Sequence, residues 1–158
     1  MKTVIRTIIW LALVVWLGGL LFFPVTAAAA FSTIADTHQA GTIVAKCLVV
    51  LHREGLFAGG ILVVLLAAGY FVKTFQMSTM SIGIVVTLLM LACTAYSQFS
   101  IIPRMERDRI AVGGAIDSVA KTDPRHTDFD RLHNVSVDVE EAVMLGGVVL
   151  VILVARDF

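Results

Sequence analysis

The sequence has little charge, and this shortage excludes several classes of protein. Only 15% of its 158 residues are charged, whereas 58% are hydrophobic, and the mean hydropathy is +0.92. A soluble domain of this length cannot bury so much apolar surface, so the composition predicts an integral membrane protein. Twelve basic and twelve acidic residues give a formal net charge of zero. No basic surface is left over for phosphate backbones, so no nucleic acid is expected as a partner.

Cysteine is also scarce. Cys47 and Cys93 lie in separate apolar segments, without the spacing of a disulfide framework or a paired metal motif. We interpret both as small buried hydrophobic residues. The sequence contains no phosphate-binding loop, nucleophile elbow or metalloprotease motif, which favours a protein that is not an enzyme.

Four charge-poor runs approach the roughly 20 residues that a helix needs to cross a bilayer core. They cover about 7–31, 55–72, 79–102 and 135–155, and residues 103–134 form a long polar segment. The first run follows two basic residues, as in a signal peptide, but it is longer than an apolar signal region of roughly 7 to 15 residues. The sequence predicts one transmembrane domain over residues 1–158, an all-α integral membrane four-helix bundle.

The second and fourth helices are expected to be longer than their spans and partly interfacial. Asp36 with Gln39 three residues later is typical of a helix start, so helix two should begin near Thr37. Helix four should run from about Thr127 to Val154, on the order of 40 Å.

Three prolines mark expected interruptions. Pro24 should kink the first helix or end its regular part, and Pro103 should end the third. Pro124 should break the chain ahead of helix four.

Small residues recur four apart on two of the predicted helices. Gly55 and Gly59 lie on the second, and Ala142 and Gly146 on the fourth. This spacing predicts faces on which helix backbones approach closely within the membrane.

Two histidines open helices at the same predicted membrane face. His52 starts the clean span of helix two, on the face of its small residues, and His133 opens helix four. On helix four, His133, Ser136 and Glu140 fall on one stripe at i, i+3 and i+7. Titratable groups near membrane depth are costly, so we expect both histidines to face a common interior pocket.

Such a pocket has several possible occupants. Imidazole suits copper and zinc, and Glu54, Asp138 or Glu140 could supply oxygen ligands. Two facing histidines, His52 and His133, could instead hold haem b axially, or take part in a proton or substrate relay. A structural alternative stays open, in which the histidines only hydrogen-bond at the membrane boundary and the acids favour a helix N-terminus.

Two segments carry a resemblance to known proteins. They are 16–23 (WLGGLLFF) and, before the last span, 129–136 (FDRLHNVS). With these segments the chain resembles the transmembrane protein 205-like domain family, four-helix membrane proteins of largely unknown function, and distantly the copper-resistance D membrane domains. The first likeness implies the fold and the second implies metal handling. The family pattern has an asparagine where this chain has Glu140, so no role is carried over to that position.

The leading functional prediction is a membrane protein that binds or transports a small ligand, such as a metal ion, at a pocket of histidine and carboxylate. One alternative is a structural subunit that docks on other membrane subunits or on a second copy of itself. Another is a redox protein that binds haem or quinone. The expected surroundings are lipid and the bacterial inner membrane. The N-terminus is expected inside because Lys2 and Arg6 adjoin the first span, whereas the total count, with eight Lys or Arg in the longer segments of the other side, favours the opposite orientation.

Overall fold

The computed structural model describes residues 1–157, which contain helices and no strand. The helices are α1 (Lys2–Thr33), α2 (Thr37–Val72), α3 (Met77–Tyr96), α4 (Ile102–Ala111) and α5 (Pro124–Ala155). A π-helical turn, Ser97–Ile101, joins α3 to α4 without a break, and a short 3-10 turn, Ile116–Ser118, precedes α5. The predicted all-α fold is confirmed.

The four long helices form a closed up-and-down bundle. Helix α1 packs on α2, α2 on α3, α3 on α5, and α5 returns to α1. Short connections, residues 34–36 and 73–76, make α1, α2 and α3 antiparallel in turn, and the longer connection 112–123 leads back into α5. The interior is apolar along most of its length. Its largest fully buried side chains include Trp16, Ile9, Leu13, Leu62, Leu66, Met80, Ile101 and Leu150.

The outer surface of the bundle is apolar as well. Large side chains such as Phe57, Phe71 and Phe99 are exposed by 70% or more. Within residues 1–157, the stretches Lys2–Thr33, Thr37–Val72 and Met77–Ala111 are long and apolar enough to cross a membrane. A bundle that is apolar inside and outside needs lipid as its solvent, so the chain is a membrane protein.

Helix α5 belongs to the bundle, but its composition is less apolar. Asp138, Glu140 and Glu141 fall within the predicted span 135–155, and only 142–155 is free of charge. Asp138 and Glu141 are exposed, so they mark the level at which water or lipid headgroups begin.

The charged residues of α2 and α5 define an apolar layer. Arg53 to Lys73 on α2 covers about 30 Å at 1.5 Å per residue, and Asp138 to Arg156 on α5 covers about 27 Å. Both values match a hydrocarbon core of about 30 Å. His52 and Glu140 therefore lie at one boundary of this layer. The termini lie at the other boundary.

The helix starts follow their capping residues. The prediction for α2 is confirmed, because the Asp36 carboxylate accepts hydrogen bonds from the backbone N–H groups of His38 and Gln39. The predicted start of helix four at Thr127 is wrong. Helix α5 begins at Pro124, since proline suits the first helical position and the carboxylate of Asp123 caps it.

The prolines interrupt the helices less than predicted. Helix α1 does not end at Pro24 but continues to Thr33, and a kink at Pro24 stays a prediction. The third helix does not end at Pro103. Proline lacks an N–H, and its ring crowds the carbonyl four residues earlier. Here the preceding turn has the wider π-helical geometry, in which the N–H of Ile102 donates to the carbonyl oxygen of Ser97, five residues earlier. The helix then continues as α4.

Arg6 ties together the end of the bundle at which both termini lie. Its guanidinium donates to the backbone oxygens of Thr74 and Asp157, at 2.8 and 3.2 Å, and lies 5.0 Å from the ring centre of Phe75. This end carries the basic residues Lys2, Arg6, Lys73 and Arg156 against the acid Asp157. It is the basic end of the bundle.

The bundle predicts a definite pattern for topology reporters fused at positions 40, 75, 120 and 157. Positions 75 and 157 should report one side of the membrane and positions 40 and 120 the other, because an odd number of long helices separates the two sets. If positions 75 and 120 report the same side, the four-helix arrangement in the membrane is wrong.

Candidate functional site

His52 is the most deeply buried titratable side chain at the membrane boundary of the bundle. It lies on the inner face of α2 with 1% of its surface exposed. Its Nδ1 lies 3.2 Å from Oε1 of Gln98, and its Nε2 contacts Oε1 of Glu140. Both ring nitrogens are therefore occupied by polar partners from other helices. We call these three side chains, His52, Gln98 and Glu140, the His52 centre.

Glu140 reaches the centre from α5. The buried face of α5 recurs with helical spacing at Ser136, Val143 and Gly147, and Glu140 lies between these positions. Its side chain is 17% exposed, so its charge is turned away from lipid. One carboxylate oxygen, Oε1, contacts His52, while Oε2 is buried and has no hydrogen-bond partner among the described residues. A buried oxygen without a partner is costly and leaves a binding position open.

Gln98 reaches the centre from the π turn. Turns of this kind are rare and frequently occur at functional sites. The same inner face of the third helix carries Thr94 and Ser97, whose hydroxyl oxygens are buried without hydrogen-bond partners in residues 1–157. The hydroxyls lie within one helical turn of Gln98 along the chain. They add to the polar character of the bundle interior near this level.

His133 does not join His52. His133 is exposed, although it opens the stripe that the sequence predicts. The reason is angular: Leu132 is buried, and each residue turns a helix by about 100°, so His133 points away from the interior. Asp138 is also exposed. The predicted pairing of the two histidines in one pocket is therefore corrected, and the stripe holds only from Ser136 onward.

Glu54 faces a different part of the bundle. Its Oε1 lies on the α1 side of α2, next to Gly19, and its side chain lines a groove of about 340 Å³ with Lys46 and Cys47. The groove lies between α1 and α2 on the outer surface. Glu54 therefore does not contribute to the His52 centre.

The geometry does not fit the cofactors considered from the sequence. Among the described residues, no group of three or more His, Cys, Asp or Glu side chains is placed to hold a metal ion. An axial haem would need an open face at both histidines. His52 is buried with both nitrogens engaged, and His133 is exposed on another face.

The small residues mostly pack inside the bundle. A Cβ added at Gly55 would collide with the Trp16 ring, and one at Gly59 would lie 2.6 Å from Leu91. A Cβ at Gly146 would lie 2.7 Å from Met90. These glycines thus allow close approach between neighbouring helices, as glycine does in membranes. Ala142, in contrast, is exposed.

A family model matches residues 11–109, which is more than half of the chain. The match covers α1 from Leu11 onward, α2, α3 and nearly all of α4, including His52 and Gln98. The chain belongs to the family described as Domain of unknown function (DUF4149). The matched range of DUF4149 ends before α5 and Glu140. The more specific resemblances to transmembrane protein 205-like and copper-resistance D domains are not confirmed by this match and stay predictions.

No curated protein and no solved structure matches the chain. Membership of DUF4149 assigns no activity, so function must be argued from the site itself.

Gln98 is the member of the centre that sequence reasoning missed. A signal was present, because an amide side chain within the apolar run 79–102 is itself expensive in a membrane. The sequence alone does not reveal the π turn, which follows from the combination of packing and Pro103.

Proposed function

We propose that the protein binds or moves a small cation at the His52 centre, near one face of the membrane. The observation that carries this proposal is the carboxylate of Glu140, which is turned into the bundle, contacts the buried His52 and keeps one buried oxygen without a partner. Burying an ionisable pair in lipid costs several kcal/mol by general estimates. Such groups in membrane helices commonly mark ion paths and proton relays.

The packing of the glycines supports this proposal over a purely structural subunit. That alternative needs the small-residue faces of α2 and α5 to be free for partner helices. Gly55, Gly59 and Gly146 are instead occupied by side chains of this chain. Lipid is the partner that the apolar outer surface fits best.

Charge distribution supports an orientation for the protein. The basic end carries four basic residues and one acid in short segments, which favours placing it in the cytoplasm. With the bacterial inner membrane as the proposed location, the His52 centre lies toward the outer face of that membrane. A ligand would then reach the centre from outside over a short distance, because the polar first part of α5, residues 124–138, continues beyond it.

The test uses purified full-length protein in proteoliposomes. Fluxes of H⁺, Na⁺, K⁺, copper and zinc are measured under imposed gradients, and bound metals are measured by elemental analysis. Glu140→Gln should lower the flux or binding of the responding cation about tenfold or more, since a hydrogen bond to a charged group contributes roughly 1.5–3 kcal/mol.

Glu141→Gln is the matched control, because Glu141 is the adjacent carboxylate and is exposed. It should leave the flux nearly unchanged. Absence of flux and binding for all five cations in the wild-type protein would contradict the proposal. Co-purification with a stoichiometric membrane partner in that case would instead support the structural subunit.

A further inference from the structure

We propose that the His52 centre exchanges one proton, and that Gln98 is a positioning residue whose side-chain amide reverses its orientation during the exchange. This inference rests on the proposed function, because it names the cation handled at the same site. It follows from counting donors and acceptors at the three side chains.

We assign the arrangement in which the side-chain oxygen of Gln98 faces Nδ1 of His52 to the proton-loaded state. The side-chain oxygen of Gln98 can only accept, so Nδ1–H of His52 donates to it over 3.2 Å. An ionised carboxylate also only accepts, and in a neutral ring with Nδ1–H the other nitrogen has no proton. Nε2 and Glu140 Oε1 are nevertheless in contact. In this state a proton lies between them, either as imidazolium with carboxylate or as imidazole with carboxylic acid.

Both descriptions of the loaded state give the centre a net charge of zero. This matters because Glu140 Oε2 is buried without a partner. A full negative charge on that carboxylate would be poorly compensated in a medium of low dielectric constant. The proton therefore neutralises the centre when no other cation is bound.

Release of one proton requires a different hydrogen-bond pattern. The proton on Nδ1 of His52 leaves to water, and the proton between the pair stays on Nε2, which donates to the Glu140 carboxylate. Nδ1 then carries a lone pair, and the oxygen of Gln98 opposite it would be a second acceptor. A half-turn of the amide replaces the oxygen by the NH₂ group, which donates to Nδ1. The two ends of an amide have nearly the same size, so the half-turn needs little repacking.

No titratable side chain from the surrounding elements, within residues 1–157, bonds to His52 or Glu140 besides the members of the centre. Residues 7–33 of α1 contain no titratable group. The titratable residues near this level on the other elements are Lys46, Cys47, Arg53, Glu54, Cys93, Tyr96, Arg104, His133, Asp138 and Glu141. Within residues 1–157, the hydrogen bonds and ion pairs of His52 and Glu140 are made only within the centre.

Nuclear magnetic resonance of the full chain in lipid nanodiscs tests the coupling directly. The chain has four histidines and three glutamines, so ¹⁵N labelling of these two residue types gives few signals. His52 is assigned from the signal that His52→Asn removes. As the pH is raised, Nδ1 of His52 should pass from protonated to unprotonated. The side-chain amide of Gln98 should shift with the same midpoint, whereas Gln39 and Gln76 should not.

The variant Gln98→Met keeps the side-chain length and removes the amide. The variant removes the acceptor of a charge-assisted hydrogen bond from the loaded state but only a neutral hydrogen bond from the released state. The midpoint for His52 should therefore fall by about one pH unit, a tenfold loss of proton affinity. Gln76→Met, at an exposed position near the basic end, is the control and should leave the midpoint unchanged.

Three results would overturn the inference: a Gln98 amide that stays constant while His52 titrates, a His52 ring that keeps one form throughout, or an unchanged midpoint in folded Gln98→Met. The flux assay distinguishes failure of the proton-exchange inference from failure of the proposed cation function. Cation flux that depends on Glu140 without the coupled titration would leave the function standing and remove the proton exchange. A coupled titration of His52 and Gln98 without flux or binding of any cation in the assay would leave the proton exchange standing and remove the proposed function.

Discussion

Leucine in place of Gly59 is expected to lower the free energy of unfolding by about 3 kcal/mol, at the upper end for overpacking a core. A first carbon at this position already lies 2.6 Å from Leu91 Cδ2 and 2.7 Å from the Trp16 ring. Leu91 can move aside, but Trp16 is 2% exposed and fixed by its neighbours. Thermal unfolding in detergent should show a drop of roughly 6–12 °C for a chain of this size.

Gly60→Leu is the matched control, because it changes the same residue type one position later. A Cβ at Gly60 meets no atom within 4 Å, so its melting temperature should stay close to that of the wild type. Val64→Leu, at a residue exposed by 66%, should be similarly mild. Equal melting temperatures for the Gly59 and Gly60 variants would show that the contact between α1 and α2 around Trp16 is not as described.

The second large effect is expected when one member of the buried ion pair is removed. His52→Leu leaves the Glu140 carboxylate in the bundle without its partner, and Glu140→Leu leaves a ring nitrogen of His52 without one. Each variant should lose about 3 kcal/mol, the lower end for removing one partner of a buried pair. The double variant should lose much less than the two single losses together, because apolar side chains of similar volume replace a buried pair at little cost.

Chemical or thermal unfolding of the four proteins in one detergent measures this coupling. His133→Leu and Glu141→Leu serve as controls, since both residues are exposed on α5. Additive losses in the double variant would contradict the contact between His52 and Glu140. A stable double variant that has lost cation flux would show that the pair is retained for function rather than for stability.

The sequence was sufficient for the general architecture because lipid imposes a simple rule on composition. Charge-free runs of suitable length predicted the helices, and Asp36 marked the start of α2 correctly. The helix boundaries predicted from Pro103 and Pro124 were wrong, because the effect of a proline depends on the backbone conformation around it. Pro124 occupies the first position of a helix, and Pro103 is accommodated in a continuous helix because a π turn precedes it.

The candidate site was harder to predict because it depends on rotation about each helix axis. Spacing along one helix relates His133 to Glu140, but it does not say which way their stripe faces. The buried Leu132 fixes that direction and turns His133 outward. Gln98 lies far from His52 in sequence, and the contact exists only after α2, the π turn and α5 have packed together.

The uninterrupted path from Met77 to Ala111 has a mechanical consequence. These 35 residues form one continuous helical segment, which departs from α-helical geometry at the π turn Ser97–Ile101. One residue more or less in that turn would rotate everything beyond it by about 100°. Beyond the turn, the guanidinium of Arg109 donates a hydrogen bond of 2.7 Å to the hydroxyl of Thr42, near the end of the bundle opposite the termini. A change in the length of the π turn would therefore move Arg109 away from Thr42, at the polar surface outside the lipid.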